Sequence, residues 1–220
     1  MKIIKQPTTL ADQAYNALKE AITKGELKEN ETLPEERIAK MLGISRTPLR
    51  DAFNRLASEG LILQETGRPA VVAGFNKTNA LETMELRGLL EVNNIEKIIS
   101  KVDEAFISSL RQNLAQQLGA INNNKYDEFI ELDRDFHLIL ASKNSNASYR
   151  QLIAKVNTNV NRSFLILSNT VPKSAKDAYN EHIEIIEALE KQDVALAKNK
   201  MIVHMNNVEK RFLTYYSEQS

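Results

Sequence analysis

The chain has 220 residues, and its 29 lysines and arginines are balanced by 29 aspartates and glutamates. A net charge of zero excludes a uniformly basic nucleic-acid coat, so any basic footprint must be local. The absence of cysteine excludes disulfides, thiolate catalysis and cysteine zinc sites, and the scarcity of glycine and proline favours long helices over a loop-rich β fold. No apolar run reaches bilayer length, and the start, MKIIKQPTTL, lacks the apolar stretch of a signal peptide. The expectation is a soluble, cytoplasmic protein with no membrane partner.

The chain opens on a predicted helix at about 9–24. Thr9 and Asp12 suit a capping box, Ala14, Leu18, Ala21 and Ile22 make an apolar stripe, and Gly25 ends it. Pro34 can open a second helix, which stops at Gly43. A third runs from Ser45, a good N-cap, to Ser58. Leu61–Gln64 and Ala70–Ala73 then read as two short strands about the turn Glu65–Pro69. Three helices followed by a hairpin make a winged helix-turn-helix. Four of the seven glycines lie between Gly25 and Gly67, whereas only two follow Thr78. A domain boundary near Phe75–Thr78 follows, giving domains 1–75 and 76–220.

The second domain shows helical periodicity throughout. Six helices are expected, at about 78–101, 103–122, 125–142, 146–169, 174–191 and 193–215, with Asn122-Asn123-Asn124 as a turn. Short loops imply antiparallel neighbours. The fold class is therefore mainly α: an N-terminal winged helix-turn-helix and a C-terminal antiparallel all-helical bundle.

The stretch Arg37–Leu56, RIAKMLGISRTPLRDAFNRL, carries helix-turn-helix spacing. Ala39 is small where two helices cross, and Gly43 suits a turn that needs positive φ. Ile38, Leu42, Ile44, Leu49 and Ala52 join the helices. Arg46, Thr47 and Arg50 then share the outward start of the third helix, where arginine can bond guanine O6 and N7 in a major groove. Ser45 can bond a phosphate, and Arg68 at the hairpin tip can reach a phosphate or the minor groove.

With these residues, ELKENETLPEERIAKMLGISRTPLRDAFNRLASEGLI resembles the DNA-binding domain of the GntR family of bacterial transcription regulators, over about residues 10–75. The resemblance implies a homodimer on palindromic operator DNA. It carries DNA contacts onto Ser45, Arg46, Thr47 and Arg50, and the wing glycine onto Gly67.

All three histidines, His137, His182 and His204, lie in the second domain. Asp133 and His137 are four apart and adjacent on one helix face. His182 precedes Ile185, Ile186 and Leu189 at helical spacing, and His204 shares a stripe with Ala197, Met201, Met205 and Val208. Three imidazoles and one carboxylate, from three helices, thus point at one interior. A buried carboxylate is costly unless paired or metal-bound, so a divalent metal ion is expected: zinc first, with Ni, Mn, Co or Fe as alternatives.

This pattern resembles the FCD effector domain of the FadR branch of the same family. There LDxxFH, a histidine ahead of IIxAL and one on the last helix hold a metal. The positions here are Asp133, His137, His182 and His204, over about residues 78–215, and six helices resemble the shorter VanR-type version. The resemblance implies a small organic acid as effector beside the metal, and it matches Arg87 to an arginine that neutralises an effector carboxylate. Asn159, placed on a stripe with Leu152, Val156 and Ser163, is a second effector candidate.

The leading reading is a transcriptional regulator, a repressor, under metal and acid control. One alternative is a metal-dependent enzyme using the open metal position, with Glu181 beside His182 as base. Another is a DNA-binding protein whose metal is purely structural.

Overall fold

The computed structural model describes residues 8–23, 26–74, 77–166, 172 and 174–218. The chain divides into two compact units, residues 1–75 and 76–220.

In the first unit the helices are α1 (Leu10–Thr23), α2 (Glu35–Leu42) and α3 (Arg46–Ser58). The start of α1 is a reciprocal capping box. Thr9 N–H donates to Asp12 Oδ2 at 3.0 Å and Asp12 N–H to Thr9 Oγ1 at 3.1 Å. The expected stop at Gly25 lies outside the described residues. Pro34 occupies the N-cap position of α2 with extended ψ, one residue before the first helical turn. Gly43 ends that helix at φ 65°, a left-handed conformation that a Cβ would strain. Ala14, Leu18 and Ile22 of α1, Ile38 and Ala39 of α2, and Leu49, Ala52, Phe53 and Leu56 of α3 are buried.

The hairpin strands are β2 (Ile62–Leu63) and β3 (Ala70–Val72). A third strand, β1 (Thr32–Leu33), precedes α2, so the sheet is antiparallel in the order β1-β3-β2. The sequence gives no sign of β1: it is two residues long, and it exists because Thr32 and Leu33 pair with Val71 and Ala70.

Among its described residues the second unit holds six α-helices: α4 (Lys77–Ile98), α5 (Glu104–Asn122), α6 (Tyr126–Ser142), α7 (Ala147–Ile166), α8 (Ala175–Glu190) and α9 (Val194–Glu218). A 3-10 turn, Ile99–Lys101, extends α4, and Asp103 caps α5 by accepting from the Phe106 N–H at 2.7 Å. Asn124, at φ 56°, turns the chain from α5 into α6. The last residues expected in α7, 167–169, lie outside the described residues. Consecutive helices α5/α6, α6/α7 and α8/α9 pack together, and α4 contacts α6, α7 and α9. The core gathers Ile95, Ile98, Leu110, Phe136, Leu140, Ile185, Leu189 and Met201, all fully buried. No helix among the described residues is long and apolar enough to cross a membrane.

Candidate metal centre and nucleic-acid interface

In the first unit, Ser45, Arg46, Thr47 and Arg50 are all exposed at the start of α3. Ser45 takes the N-cap position, but its hydroxyl makes no capping hydrogen bond, contrary to expectation. The helix end is therefore uncapped by side chain, and the hydroxyl faces out with the helix N–H groups. Gly67 forms the tip between β2 and β3 at φ 79°.

An open groove runs between the starts of α2 and α3 and the hairpin, with Arg46, Arg50, Gly67 and Arg68 on its walls. Each arginine there holds a carboxylate. Arg46 donates to Glu36 at 3.1 Å, Arg50 Nε to Glu35 at 2.9 Å and Arg68 to Glu65 at 2.7 Å. All are surface ion pairs, readily exchanged for a phosphate or a base edge.

Arg55 is differently employed. Its guanidinium lies 3.9 Å from the centroid of the Tyr15 ring and donates to Asp12 at 2.7 Å, tying α3 to α1.

In the second unit the three histidines are fully buried and converge from α6, α8 and α9. One ligand atom from each lies within 4.8 Å of the others. His137 Nε2 and His204 Nε2 are 3.3 Å apart. Two nitrogens each about 2.0–2.1 Å from a tetrahedral zinc ion are separated by about 3.3 Å, so the spacing fits such an ion.

The other nitrogen of every ring is engaged from outside. His137 Nδ1 lies 3.0 Å from Glu91 Oε2 on α4, although poorly aligned for a hydrogen bond. His182 Nδ1 is 3.0 Å from Gln117 Oε1 on α5, and His204 Nδ1 is 2.7 Å from Glu181 Oε2 on α8. Acceptors at Nδ1 hold the rings of His182 and His204 with Nε2 turned inward, as metal-binding imidazoles require, and Glu91 faces His137 on the same side. His182 Nε2 is buried with no hydrogen-bond partner among the described residues. That orphaned acceptor is an independent sign that the donor set fits a cation.

Burial, together with the charges of His204 and His137, pushes His182 well below its usual pKa. Burial also lowers His204, against the opposing bond to Glu181. Both rings are thereby kept neutral and able to ligate.

Asp133 sits nearer the surface than expected, its side chain 23% exposed, with Oδ1 3.5 Å from His182 Nε2. Among the described residues the group of mutually close ligand atoms is the three histidines, and Asp133, one helical turn before His137, lies outside it.

Glu181 is not available as a general base. Besides His204 it accepts from Asn207 at 2.9 Å and from both Arg211 nitrogens, at 2.8 and 2.9 Å. Burial alone would raise its pKa, but His204 and Arg211 outweigh that and bring it to about 2. Glu91 behaves alike. Burial raises it, yet His137, Arg87 and Asn157 carry it to about 2.

A cavity of about 40 Å³ adjoins the centre beside Asp133. Arg87, Arg134 and Arg211 supply its positive wall, Asn157, Asn161 and Ser174 its amides and hydroxyl, and Phe129, Ile130, Val160, Phe164 and Val208 its apolar lining. Arg87 is 3% exposed, and its Nη2 has no hydrogen-bond partner among the described residues, lying 4.0 Å from Asp133.

Asn159 is absent from this wall and only half-buried. Of the stripe expected on α7, Val156 and Ser163 are buried, whereas Leu152 and Asn159 are not. Leu152 is 49% exposed, and the inward face is Ile153, Val156, Asn157, Val160 and Asn161. Successive residues are about 100° apart on a helix, so Asn157 and Asn161, two positions to either side of Asn159, lie on the nearly opposite face, which is the one that reaches the cavity.

Asn157, Asn161, Arg134 and Arg211 were all missed. Arg211 follows His204 by seven residues, and Glu91 follows Arg87 by four, so both signals were present in the helical spacing.

Comparison with known proteins agrees with both halves. Residues 10–72 match the family described as bacterial regulatory proteins, gntR family, and residues 82–207 match the FCD domain. The chain is 29% identical over 205 residues to the HTH-type transcriptional regulator YdhC of Bacillus subtilis, covering 93% of this chain and 91% of that one. It is 25% identical to the HTH-type transcriptional repressor RspR of Escherichia coli, covering 94% and 91%. It is 29% identical to the gluconate operon transcriptional repressor of Bacillus subtilis, covering 94% and 86%. Among solved structures, E. coli McbR/YncC shares the fold with a TM-score of 0.70 at 19% identity, over 97% of this chain and all of that one.

Proposed function

The chain belongs to the bacterial gntR family of regulatory proteins and carries that family's FCD domain, and from this premise we infer that it is a repressor whose hold on operator DNA is set by a small organic acid bound beside a divalent metal. The observation that carries the metal is the convergence of three Nε2 atoms whose Nδ1 partners face outward. His137, His182 and His204 would hold the ion, zinc first among candidates, with Asp133 as fourth ligand. When bound, the ion supplies positive charge and open coordination positions for a carboxylate.

The cavity argues for the acid. Three arginines face a small volume, and Arg87 keeps a buried N–H group without a partner. A carboxylate would satisfy it with a charge-assisted hydrogen bond. The apolar lining suits a short carbon chain over a polyol.

DNA reading is assigned to Ser45, Arg46, Thr47 and Arg50 at the head of α3, with Gly67 and Arg68 at the wing. Repression is the reading favoured by relatives that are named repressors. A homodimer is supported by Leu86 and Leu89, which lie 46% and 60% exposed on α4, and a cytoplasmic location by membership of a family of bacterial regulatory proteins.

The test is selection of binding sites from random DNA by full-length protein, beside metal analysis of the same sample. A recovered palindrome and a bound divalent ion are expected. Recovery of no preferred sequence refutes the operator, and protein free of divalent metal refutes the centre.

A further inference from the structure

Through Nδ1, two of the three histidines are joined to the arginine-lined cavity by a single carboxylate each; the third, His182, meets a cavity carboxylate only on its Nε2 side, where Asp133 lies 3.5 Å away. On one side Glu91, fully buried, lies with Oε2 3.0 Å from His137 Nδ1. Its Oε1 accepts from Arg87 Nε at 3.2 Å and from Asn157 Nδ2 at 2.8 Å. On the other side Glu181 meets His204 Nδ1 at 2.7 Å and accepts from both outer nitrogens of Arg211, at 2.8 and 2.9 Å. Arg87, Asn157 and Arg211 are all cavity walls. His182 is held instead by neutral Gln117, whose amide donates to Asn113 at 2.7 Å, away from the cavity.

We propose that His137–Glu91–Arg87 and His204–Glu181–Arg211 are two relays that link occupancy of the metal centre to occupancy of the cavity by an anion. This deepens the functional reading above and rests on it.

The sign follows from the charges. Glu181 is shared by hydrogen bonds between the His204 ring and Arg211, and Glu91 holds Arg87 while lying at ion-pair distance, 3.0 Å, from His137 Nδ1. An anion in the cavity draws on the guanidinium, so the carboxylate leans more on the imidazole. A more strongly hydrogen-bonded Nδ1–H makes Nε2 a better donor to metal. In the other direction, a cation on Nε2 acidifies Nδ1–H, engages the carboxylate and releases the arginine toward the anion. Each ligand therefore tightens the other, by the same factor. His182, with no charged partner at Nδ1, is the internal control.

The experiment uses full-length protein with Zn²⁺ and acetate as probes, a competing chromophoric chelator reporting metal affinity. Saturating acetate should tighten Zn²⁺ binding by about fivefold or more. Glu91→Gln and Glu181→Gln should each weaken Zn²⁺ binding by about 10–100-fold and reduce the acetate effect, and the double variant should abolish it. Equal Zn²⁺ affinity with and without acetate in the wild-type protein overturns the relays, as does an undiminished acetate effect in the double variant. Protein that binds no Zn²⁺ refutes instead the metal centre on which the relays rest.

A second measurement needs no variant. With only three histidines, ¹⁵N-histidine labelling resolves each ring. Acetate added to the Zn²⁺-loaded protein should shift Nδ1 of His137 and His204 and leave that of His182 in place. A uniform shift of all three, or none, overturns the proposal.

Discussion

Nε2 of His137 and Nε2 of His204 face each other at 3.3 Å, while the far side of each ring lies against a carboxylate, Glu91 for one and Glu181 for the other. With Nδ1 protonated on both rings, two lone pairs meet across that gap. They repel unless a cation or a shared proton lies between them. This arrangement makes the centre sensitive to metal and to acid.

Removing a histidine should therefore remove the ion. His182→Ala and His204→Ala should each lose bound divalent metal, and with it the added thermal stability. At free metal about 100 times Kd that stabilisation is about 2.7 kcal/mol. Metal analysis and melting curves with and without chelator check this. Unchanged metal content in both variants would show that the ion sits elsewhere.

Acid should act in two stages on metal-stripped protein. His182 and His204 are depressed below 6.5 in the folded state, mainly by burial. The unfolded chain then binds more protons, so stability falls as pH drops below 6.5. Glu91 and Glu181, brought from 4.5 to about 2, contribute stability that is present above 4.5 and lost as pH falls toward 2. Melting temperature should decline below pH 6.5 and again below 4.5. A flat profile from about pH 8 to about pH 5 would contradict the first stage.

The arginines of α3 should separate by role. If Arg50 forks to guanine, Arg50→Ala should cost about 1–3 kcal/mol per half-site and erase discrimination there. Arg46→Ala should behave alike, or, if it touches only phosphate, flatten the salt slope by about one. Arg55 is occupied by Tyr15 and Asp12, so Arg55→Ala should lower the stability of the α1–α3 packing and leave sequence preference intact. Titrations of selected and random DNA at several salt concentrations read this directly. Loss of discrimination in Arg55→Ala but not in Arg50→Ala would mean that α3 docks differently.

Assembly is the fourth expectation. The DNA-free protein should be a dimer by light scattering at micromolar concentration, and Leu89→Asp, at an exposed position of α4, should weaken it. A wild-type monomer would argue against two-fold operator binding.

The sequence by itself determined whatever acts over one or two helical turns. The Thr9–Asp12 capping box, the left-handed Gly43, the turn at Gly67 and the inward phase of His137, His182 and His204 depend on neighbours no more than four residues away. Tertiary structure decided what crosses between elements. Strand β1 exists only because a distant hairpin edge receives it. Glu91, Gln117 and Glu181 become partners of the histidines across sequence gaps as long as 65 residues, and Arg87, Arg134 and Arg211 share one cavity wall only because five helices meet there. Periodicity states which side of a helix is buried. It does not state what that side meets, because that depends on crossing angles and axial offsets set by packing of the whole core. For the same reason Leu152, apolar yet 49% exposed, points to Asn159, whereas Asn157 and Asn161, two positions to either side, are the residues that reach the cavity.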